Sequence, residues 1–589
     1  MMHAEFDALV DSDAYRDAAR RVIRQLFEAL LFEERLPLAR RDGALLSVAA
    51  TDPQGAEVIY HCHVQRSVSF ARLRVVSPVR RRCGAEDTPA LDVARVIAEL
   101  AGQLAAEPAR LAQFATELLA THVKDAQTRI ARQGRLLRDA DYDEIEAGLT
   151  GAHPYHPTYK SRLGFTLDHN RRYAPECSPG VAPLLLAVRV DQARWAAGQA
   201  VEARDPRTLL VPAERAAFEL RLTGLGLDPA DYLPLPVHPW QWEMVGETAC
   251  HPARARRELI PVGPMQDRYR PQQSIRTLAN LDRRDAPSVK LAMNLVNTST
   301  SRVLAPHTVC NAAPISDWLD TLVASTEWAA PLARPVILKE IAGVAYLPPT
   351  PAAGQYGALA CIWRDSIHAH LVEGERALPM TALPQPDADG RLLVAEMVAR
   401  HGIEAWLRRL IERAWLPVLH LLWAHGTALE SHAQNMVLIL VDGLPERVAL
   451  KDFHDGVRFS RQWLSGPPPV LRAPPAEHAA VNPNSFVETD DADELRDFTC
   501  DALLFVNLAE VAWAFAQHLD FDEARFWAIA AEAIRAHQAR HPALAARFAL
   551  FDCFAPTLQI EELASRRFLP ELRLRTRAAP NPLAQAVQA

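Results

Sequence analysis

One short stretch gathers oxygen-bearing side chains: GTALESHAQNMVLILVDGLPERVALKDFHDG, Gly426 to Gly456. Glu430, Gln434 and Asn435 precede one apolar run, and Asp452 follows a second. Carboxylates and amides are hard donors of the kind Mg²⁺ takes. Mg²⁺ usually keeps waters and bridges to substrate phosphates, so a sparse protein set suits a nucleotide–Mg²⁺ site. NMVLIL and RVALKDF are β-rich, and the Asp-Gly between them signals a turn. A turn centred on Asp442 to Pro445 sets Asn435 opposite Asp452; a bulge would shift that register by one residue. For any one of these residues a solvated hairpin end is the plainer reading. The four together favour a metal.

The order Asn, strand, turn, strand, Asp-Phe is similar to the metal-holding segment of protein kinases, although HRD and DFG are absent. Cations supply the other half of a phosphate site. In QQSIRTLANLDRRDAPSVKLAMNLVNTSTSRVL, Gln272 to Leu304, Ser274 and Arg276 share parity before a strand that carries Lys290. Read as one strand, it puts Lys290, Ala292, Asn294 and Val296 on one face. NTSTSR then ends in Arg302 among hydroxyls. Arginine grips carboxylate or phosphate in a planar fork, and lysine acts as a compact point charge. A polar strand edge facing solvent is the plain alternative.

Lysine usage sharpens this. Of 64 Lys plus Arg only five are lysine: Lys124, Lys160, Lys290, Lys339 and Lys451. A chain that prefers arginine so strongly keeps lysine where guanidinium does not fit. Lys160 closes HPYHPTYK, whose His-Pro steps restrict the backbone to extended forms and so aim His153, His156 and Lys160. Lys124 reads as helix surface, and Lys339 as paired with a neighbouring acid. HxxH invites zinc, but with no third ligand nearby phosphate contact is the better reading. PVHPWQWE around His238 reads as scaffold.

The elements that must position these groups are mixed. A helix is expected over Ala14 to Glu34, then strands at ALLSVAA, AEVIYHCHV and FARLRVVSPV, then a long helical stretch from Thr88 to Leu149. Residues 150–377 carry short β-type runs and Pro-, His- and Trp-rich loops, read as an antiparallel sheet. Residues 378–589 are helical to Leu429, then hold the hairpin, a Pro-rich connection at Ser465 to Pro475 and helices from Asp491 to Leu550. The boundaries are thus 1–149, 150–377 and 378–589, an α+β chain.

A net charge of −8 argues against a broad nucleic-acid surface. The N-terminus lacks an apolar signal core, and the most apolar run, Ala414 to Leu429, is too short and interrupted to span a bilayer. Eight cysteines without CxxC spacing suggest reduced thiols in the cytoplasm.

HPYHPTYKSRLGF, PVHPWQWE, QQSIRTL, VKLAMNLVNTSTSR, GTALESHAQN and LKDFHDG together resemble the IucA/IucC family, the NRPS-independent siderophore synthetases of iron acquisition. The resemblance covers about half the chain. It implies a cupped hand of thumb, fingers and palm, the regions named above in order. It also implies an ATP- and Mg²⁺-dependent ligase that adenylates a carboxylate, most often citrate or a citryl intermediate. An amine or hydroxyl of a polyamine, amino acid or hydroxylated diamine then displaces AMP. On this implication His156, Lys160, Ser274, Arg276, Lys290, Arg302 and Asn435 contact ATP. Thr298, Arg302 and His432 hold the carboxylate substrate, with Arg302, His432 and Lys290 catalytic. Glu430, Gln434, Asn435 and Asp452 frame the metal. A homodimer would fit the family. GAHPYHP has Ala152 where many members read glycine, a small departure. Three readings compete: the ligase (on citrate or on 2-oxoglutarate), a kinase-like phosphotransferase, and a non-catalytic binder of polycarboxylates or ferric chelates.

Overall fold

The computed structural model describes residues 2–36, 39–298, 300–348, 354–475, 478, 484–570 and 574–588. Ser299 of NTSTSR and most of the breaker YLPPTPAAG lie outside them. The first region follows the expected alternation. Helix Asp13–Phe32 precedes a meander of Ala39–Asp42, Leu45–Thr51 and Glu57–Arg66, extended by Arg80–Cys83 and Glu86–Pro89. The stretch expected to be one long helical run starts with that last strand. It then divides into Val93–Leu100, Pro108–Arg132 and Tyr142–Gly148, because Pro108 lacks the amide to continue a helix and begins one instead.

The middle of the chain builds a six-stranded antiparallel sheet. Its order is Tyr269–Pro271, Thr277–Asn280, Ser288–Leu291, Ala360–Arg364, Glu340–Tyr346, Ala193–Ala197. All five positions of Ala360–Arg364 and all seven of Glu340–Tyr346 are buried, which matches their continuous apolar runs. A second sheet contains the hairpin Met436–Val441 and Leu444–Leu450. Glu375–Pro379 flanks it on one side and the short parallel strand Val336–Ile337 on the other.

That short strand decides where the two sheets meet. The chain leaves the hairpin sheet at Ile337 and enters the six-stranded sheet at Glu340. Ile337 pairs with Leu450, and the Leu338 amide donates to the Leu450 carbonyl at 2.9 Å. The residues after Leu450 therefore emerge beside the end of the other sheet.

The N- and C-terminal regions share one hydrophobic core. Phe27, Tyr60 and Phe114 belong to the same buried cluster as Trp406, Phe505 and Trp527. Residues 414–429, expected as the most apolar run, form the buried helix Leu416–His425 and strand Thr427–Leu429. A longer run was overlooked. The helical run Ala492–His518 is long and apolar enough by length and composition to cross a membrane, and 78% of its apolar window is buried inside the protein. All eight cysteines are free thiols.

Candidate active site

Lys290 stands on strand Ser288–Leu291, opposite Thr277 and Ile362 on its neighbours. Its ammonium lies 3.2 Å from Asp452 Oδ1 and 3.9 Å from Glu340 Oε1. The single strand expected from Lys290 to Val296 is broken at Ala292. Met293–Asn297 departs to pair with Thr300–Arg302 as a separate ribbon, so those four residues do not share one face. The parity of Ser274 and Arg276 also fails, since Ile275 between them has φ +67°. Ser274 instead accepts the Thr277 amide at 3.2 Å, and Arg276 Nη1 donates to the Val303 carbonyl at 2.8 Å and the Arg302 carbonyl at 3.3 Å. Arg276 thereby ties the sheet to the ribbon that carries Arg302.

Arg302 Nη2 donates to the Asn297 carbonyl at 2.9 Å and Thr298 Oγ1 at 2.7 Å. Its Nε is buried without a partner. Burial first, and then Arg276, pull its guanidinium down to about 9 despite the opposing pull of Asp452 and Glu430. Among the described residues no carboxylate contacts this guanidinium.

The hairpin register corrects the expectation by one residue. Met436 faces Leu450, and the Lys451 amide donates to the Asn435 carbonyl at 3.0 Å, so Asn435 comes opposite Lys451 rather than Asp452. The cause is the turn. Asp442 and Gly443 both have positive φ, +49° and +78°, the geometry of a two-residue hairpin loop, and the register slips between Ile439 and Leu440. Asp452 sits just beyond the strand with φ +67°. Its Oδ1 accepts from Arg364 Nη1 at 2.7 Å as well as facing Lys290. Burial alone would raise this carboxyl, but Lys290, Arg364 and Lys451 outweigh it and hold it well below the usual carboxylate range.

Asn435 donates from Nδ2 to the Glu430 carbonyl at 2.9 Å, which anchors the residue expected to carry metal charge. Glu430 has the opposite balance to Asp452. Burial and the nearby Glu561 push it up to about 7, helped by Asp455 and Asp452 and opposed by Arg458. Glu430, Gln434, Asn435 and Asp452 offer side-chain oxygens, and Glu430, raised by neighbouring carboxylates, is short of positive charge. The residues fit a hard divalent cation.

The loop Gly151 to Phe165 forms another wall. Burial and Arg302 lower His156 to about 3; burial and His156 lower His153 further below its ordinary range. His432 falls to about 4 through burial, against the pull of Asp452. All three imidazoles are neutral near pH 7 and offer hydrogen bonds rather than charge. Lys160 departs from expectation. Its ammonium lies 2.8 Å from Asp125 Oδ1, 2.9 Å from Thr128 Oγ1 and 3.2 Å from Glu176 Oε1, all buried, so its three donors serve the wall. Lys124 is corrected too. It is buried, not helix surface, and donates to the carbonyls of Ser161 and Arg162 at 2.7 and 2.6 Å. Lys339 is nearest Asp320, at 3.6 Å. Around His238, the buried Trp240 and Gln241 form scaffold; Gln241 Nε2 donates to Asn294 Oδ1 at 2.7 Å.

Five non-glycine residues with left-handed backbone lie on these loops: His153, Arg162, Ile275, Thr298 and Asp452. For β-branched Ile275 and Thr298 this is a true outlier, held because the surrounding packing fixes it. Sequence reasoning missed Arg364, which bridges Asp452 and Gln272 Oε1 (2.8 Å), and the buried pair Glu340–His454, 2.6 Å apart. Arg364 closes an otherwise apolar strand, ACIWR, and a charge there was the available signal. Asp455, 52% exposed, continues the acidic rim.

The geometry has relatives. The IucA / IucC family profile matches residues 141–385, and that of the ferric iron reductase FhuF-like transporters matches residues 404–578. The chain is 34% identical over its whole length to the citryl-spermidine/3,4-dihydroxybenzoyl-citryl-spermidine:spermidine ligase of Bacillus anthracis, covering 97% of that protein. It is 35% identical, over 96% of this chain and 92% of the relative, to the 2-[(L-alanin-3-ylcarbamoyl)methyl]-3-(2-aminoethylcarbamoyl)-2-hydroxypropanoate synthase of Staphylococcus aureus. The crystal structure of the petrobactin biosynthesis protein AsbB from Bacillus anthracis superimposes with a TM-score of 0.90 at 33% identity, covering 100% of this chain and 98% of that one. The sequence motifs, the α+β sheets and these likenesses converge: the chain belongs to the IucA/IucC family of NRPS-independent siderophore synthetases.

Proposed function

We propose that this siderophore synthetase activates one carboxylate of citrate, or of a citryl monoamide, with ATP and passes the acyl group to a polyamine amine. The reading rests on one observation. Lys290 and Arg364 grip Asp452 where the six-stranded sheet meets the hairpin, with Arg276 tied to Arg302 close by. Cations and hard oxygens thus converge at one junction, as a metal-chelated triphosphate requires. Attack of a carboxylate on the α-phosphate brings two anions together, so positioned charge is the main requirement. Arg302, with its free Nε, would take phosphate and substrate carboxylate, beside Thr298. Arg276, Lys290, Ser274 and neutral His156 would hold the phosphates, and His432 would orient the acid. Glu430, Gln434, Asn435 and Asp452 would hold Mg²⁺, which supplies charge neutralisation when bound. Lys160 and Lys124 act in this scheme by fixing the loop.

The choice of citrate and a polyamine is supported by the named activity of the Bacillus anthracis ligase, similar along the entire chain. A cytoplasmic site supplied with ATP, a cupped hand of thumb, fingers and palm, and a homodimer belong to the same reading. The test is product analysis with ATP, Mg²⁺, a set of acids (citrate, a citryl monoamide, 2-oxoglutarate) and a set of amines. AMP and pyrophosphate released only when acid and amine match carry the ligase reading. ADP would favour the phosphotransferase, and binding without nucleotide consumption the non-catalytic binder.

A further inference from the structure

Three histidines away from the hairpin meet in the C-terminal helices. His420 lies on helix Leu416–His425, His537 in the last turn of Glu523–Arg540, and His541 caps that helix. One ligand atom from each ring lies within 4.8 Å of the other two, and among the described residues the group stops at three. His420 Nδ1 and His537 Nε2 are 3.2 Å apart. Two nitrogens bound at about 2.05 Å to a tetrahedral ion lie roughly 3.3 Å from each other, so this pair already has the spacing of co-ligands.

We propose that His420, His537 and His541 form a site for a borderline divalent ion of the zinc class, bound by three imidazoles with one position left open.

Two features beyond proximity support it. His541 Nδ1 sits 2.9 Å from the His537 carbonyl, which fixes that nitrogen as a donor and leaves Nε2 as the ligand atom, the usual outer-shell arrangement for metal-bound histidine. His537 is fully buried, and its ring stacks on Trp423 at 5.8 Å, which holds its orientation. Imidazole ligands select Zn²⁺, Cu²⁺, Ni²⁺ or Fe²⁺ over Mg²⁺, which prefers oxygen. The site is thus chemically separate from the hard-oxygen cluster.

Its place in the fold gives it a consequence. Helix Leu416–His425 ends at Gly426 (φ +67°) and passes through strand Thr427–Leu429 straight into Glu430. An ion clamping this helix to Glu523–Arg540 would stiffen the segment that delivers Glu430 and His432.

The experiment uses the full-length chain, stripped with a chelator and dialysed. Zn²⁺ titration by calorimetry should give one tight equivalent insensitive to millimolar Mg²⁺. Co²⁺ should give the visible absorption of a four-coordinate nitrogen site, and Zn²⁺ should raise the Tm. His541→Gln, at the half-exposed position, should fold as wild type and lose the equivalent, the colour and the Tm rise together; His420→Gln is the second variant. No stoichiometric binding to the wild type, or binding unchanged in folded His541→Gln, overturns the proposal.

Discussion

Replacing Arg302 by methionine separates a site residue from a structural one. Most buried arginines are paired, and removing one strands a carboxylate, at about 3–5 kcal/mol. Among the described residues Arg302 has no carboxylate in contact; its Nη2 donates to the Asn297 carbonyl and Thr298 Oγ1. Burial chiefly pulls its guanidinium well down from its ordinary value, to about 9. At about 1.4 kcal/mol per pH unit that corresponds to roughly 5 kcal/mol against the folded state. Partial exposure screens this to about 1–3 kcal/mol. A base whose pKa drops on folding weakens the fold wherever the unfolded chain is protonated, so the penalty is full below about 9 and fades as pH rises above that toward the ordinary guanidinium range. Against it stand two hydrogen bonds worth about 1 kcal/mol each. Arg302→Met should therefore leave the ligand-free stability within about 1 kcal/mol of wild type at pH 7. Catalysis should respond quite differently. Losing a two-pronged charge-assisted contact of about 3–6 kcal/mol predicts a fall in kcat/KM of roughly 10² to 10⁴. Urea unfolding of the free protein and continuous pyrophosphate release measure the two. Stability lost by several kcal/mol together with near-normal turnover would refute the reasoning.

Glu430 should make stability depend on pH and Mg²⁺ together. Its folded carboxyl is raised from 4.5 to about 7, so it weakens the fold progressively as pH rises between those values. Mg²⁺ should then raise Tm more at pH 8 than at pH 6, and Glu430→Gln should flatten that difference; equal increments at both pH values would count against a metal at Glu430. Lys160→Met should cost about 2–4 kcal/mol, since Asp125 and Glu176 lose their shared ammonium while Arg21, Arg129 and Arg162 stay near. ATP affinity of the folded variant, measured at low temperature, should change less than about tenfold. Full stability with ATP binding abolished would show that the ammonium turns to phosphate.

The chain's composition made its lysines informative in a way their individual contexts did not. Lys124, Lys160, Lys290 and Lys451 are all buried, and Lys290 and Lys451 both flank Asp452. Local periodicity and turn chemistry were enough to read the hairpin, its Asp-Gly turn, the strand bearing Lys290 and the helix Asp13–Phe32. They depend on residues a few positions apart. Register did not follow, because the tight turn at Asp442–Gly443 would by itself put Asn435 opposite Leu450 and the bulge between Ile439 and Leu440 moves it one residue on, to Lys451; bulges are set by how the strand packs on its neighbours. The break at Ala292 escaped for the same reason: Met293–Asn297 leaves the sheet for a partner, Thr300–Arg302, that is itself shaped by the left-handed Thr298.

Sequence alone determined the chemistry on offer, hard oxygens in one segment and cations in another, because side-chain type is written residue by residue. Only the tertiary structure decided which charges meet. Val336–Ile337 joins the hairpin sheet a few residues before the chain enters the other sheet at Glu340, and that crossing brings Asp452 to Lys290 and Arg364. The same packing turned Lys160 inward to Asp125 and Glu176, since a buried ammonium is held by the carboxylates that surround it, and those come from a helix and a loop distant in sequence.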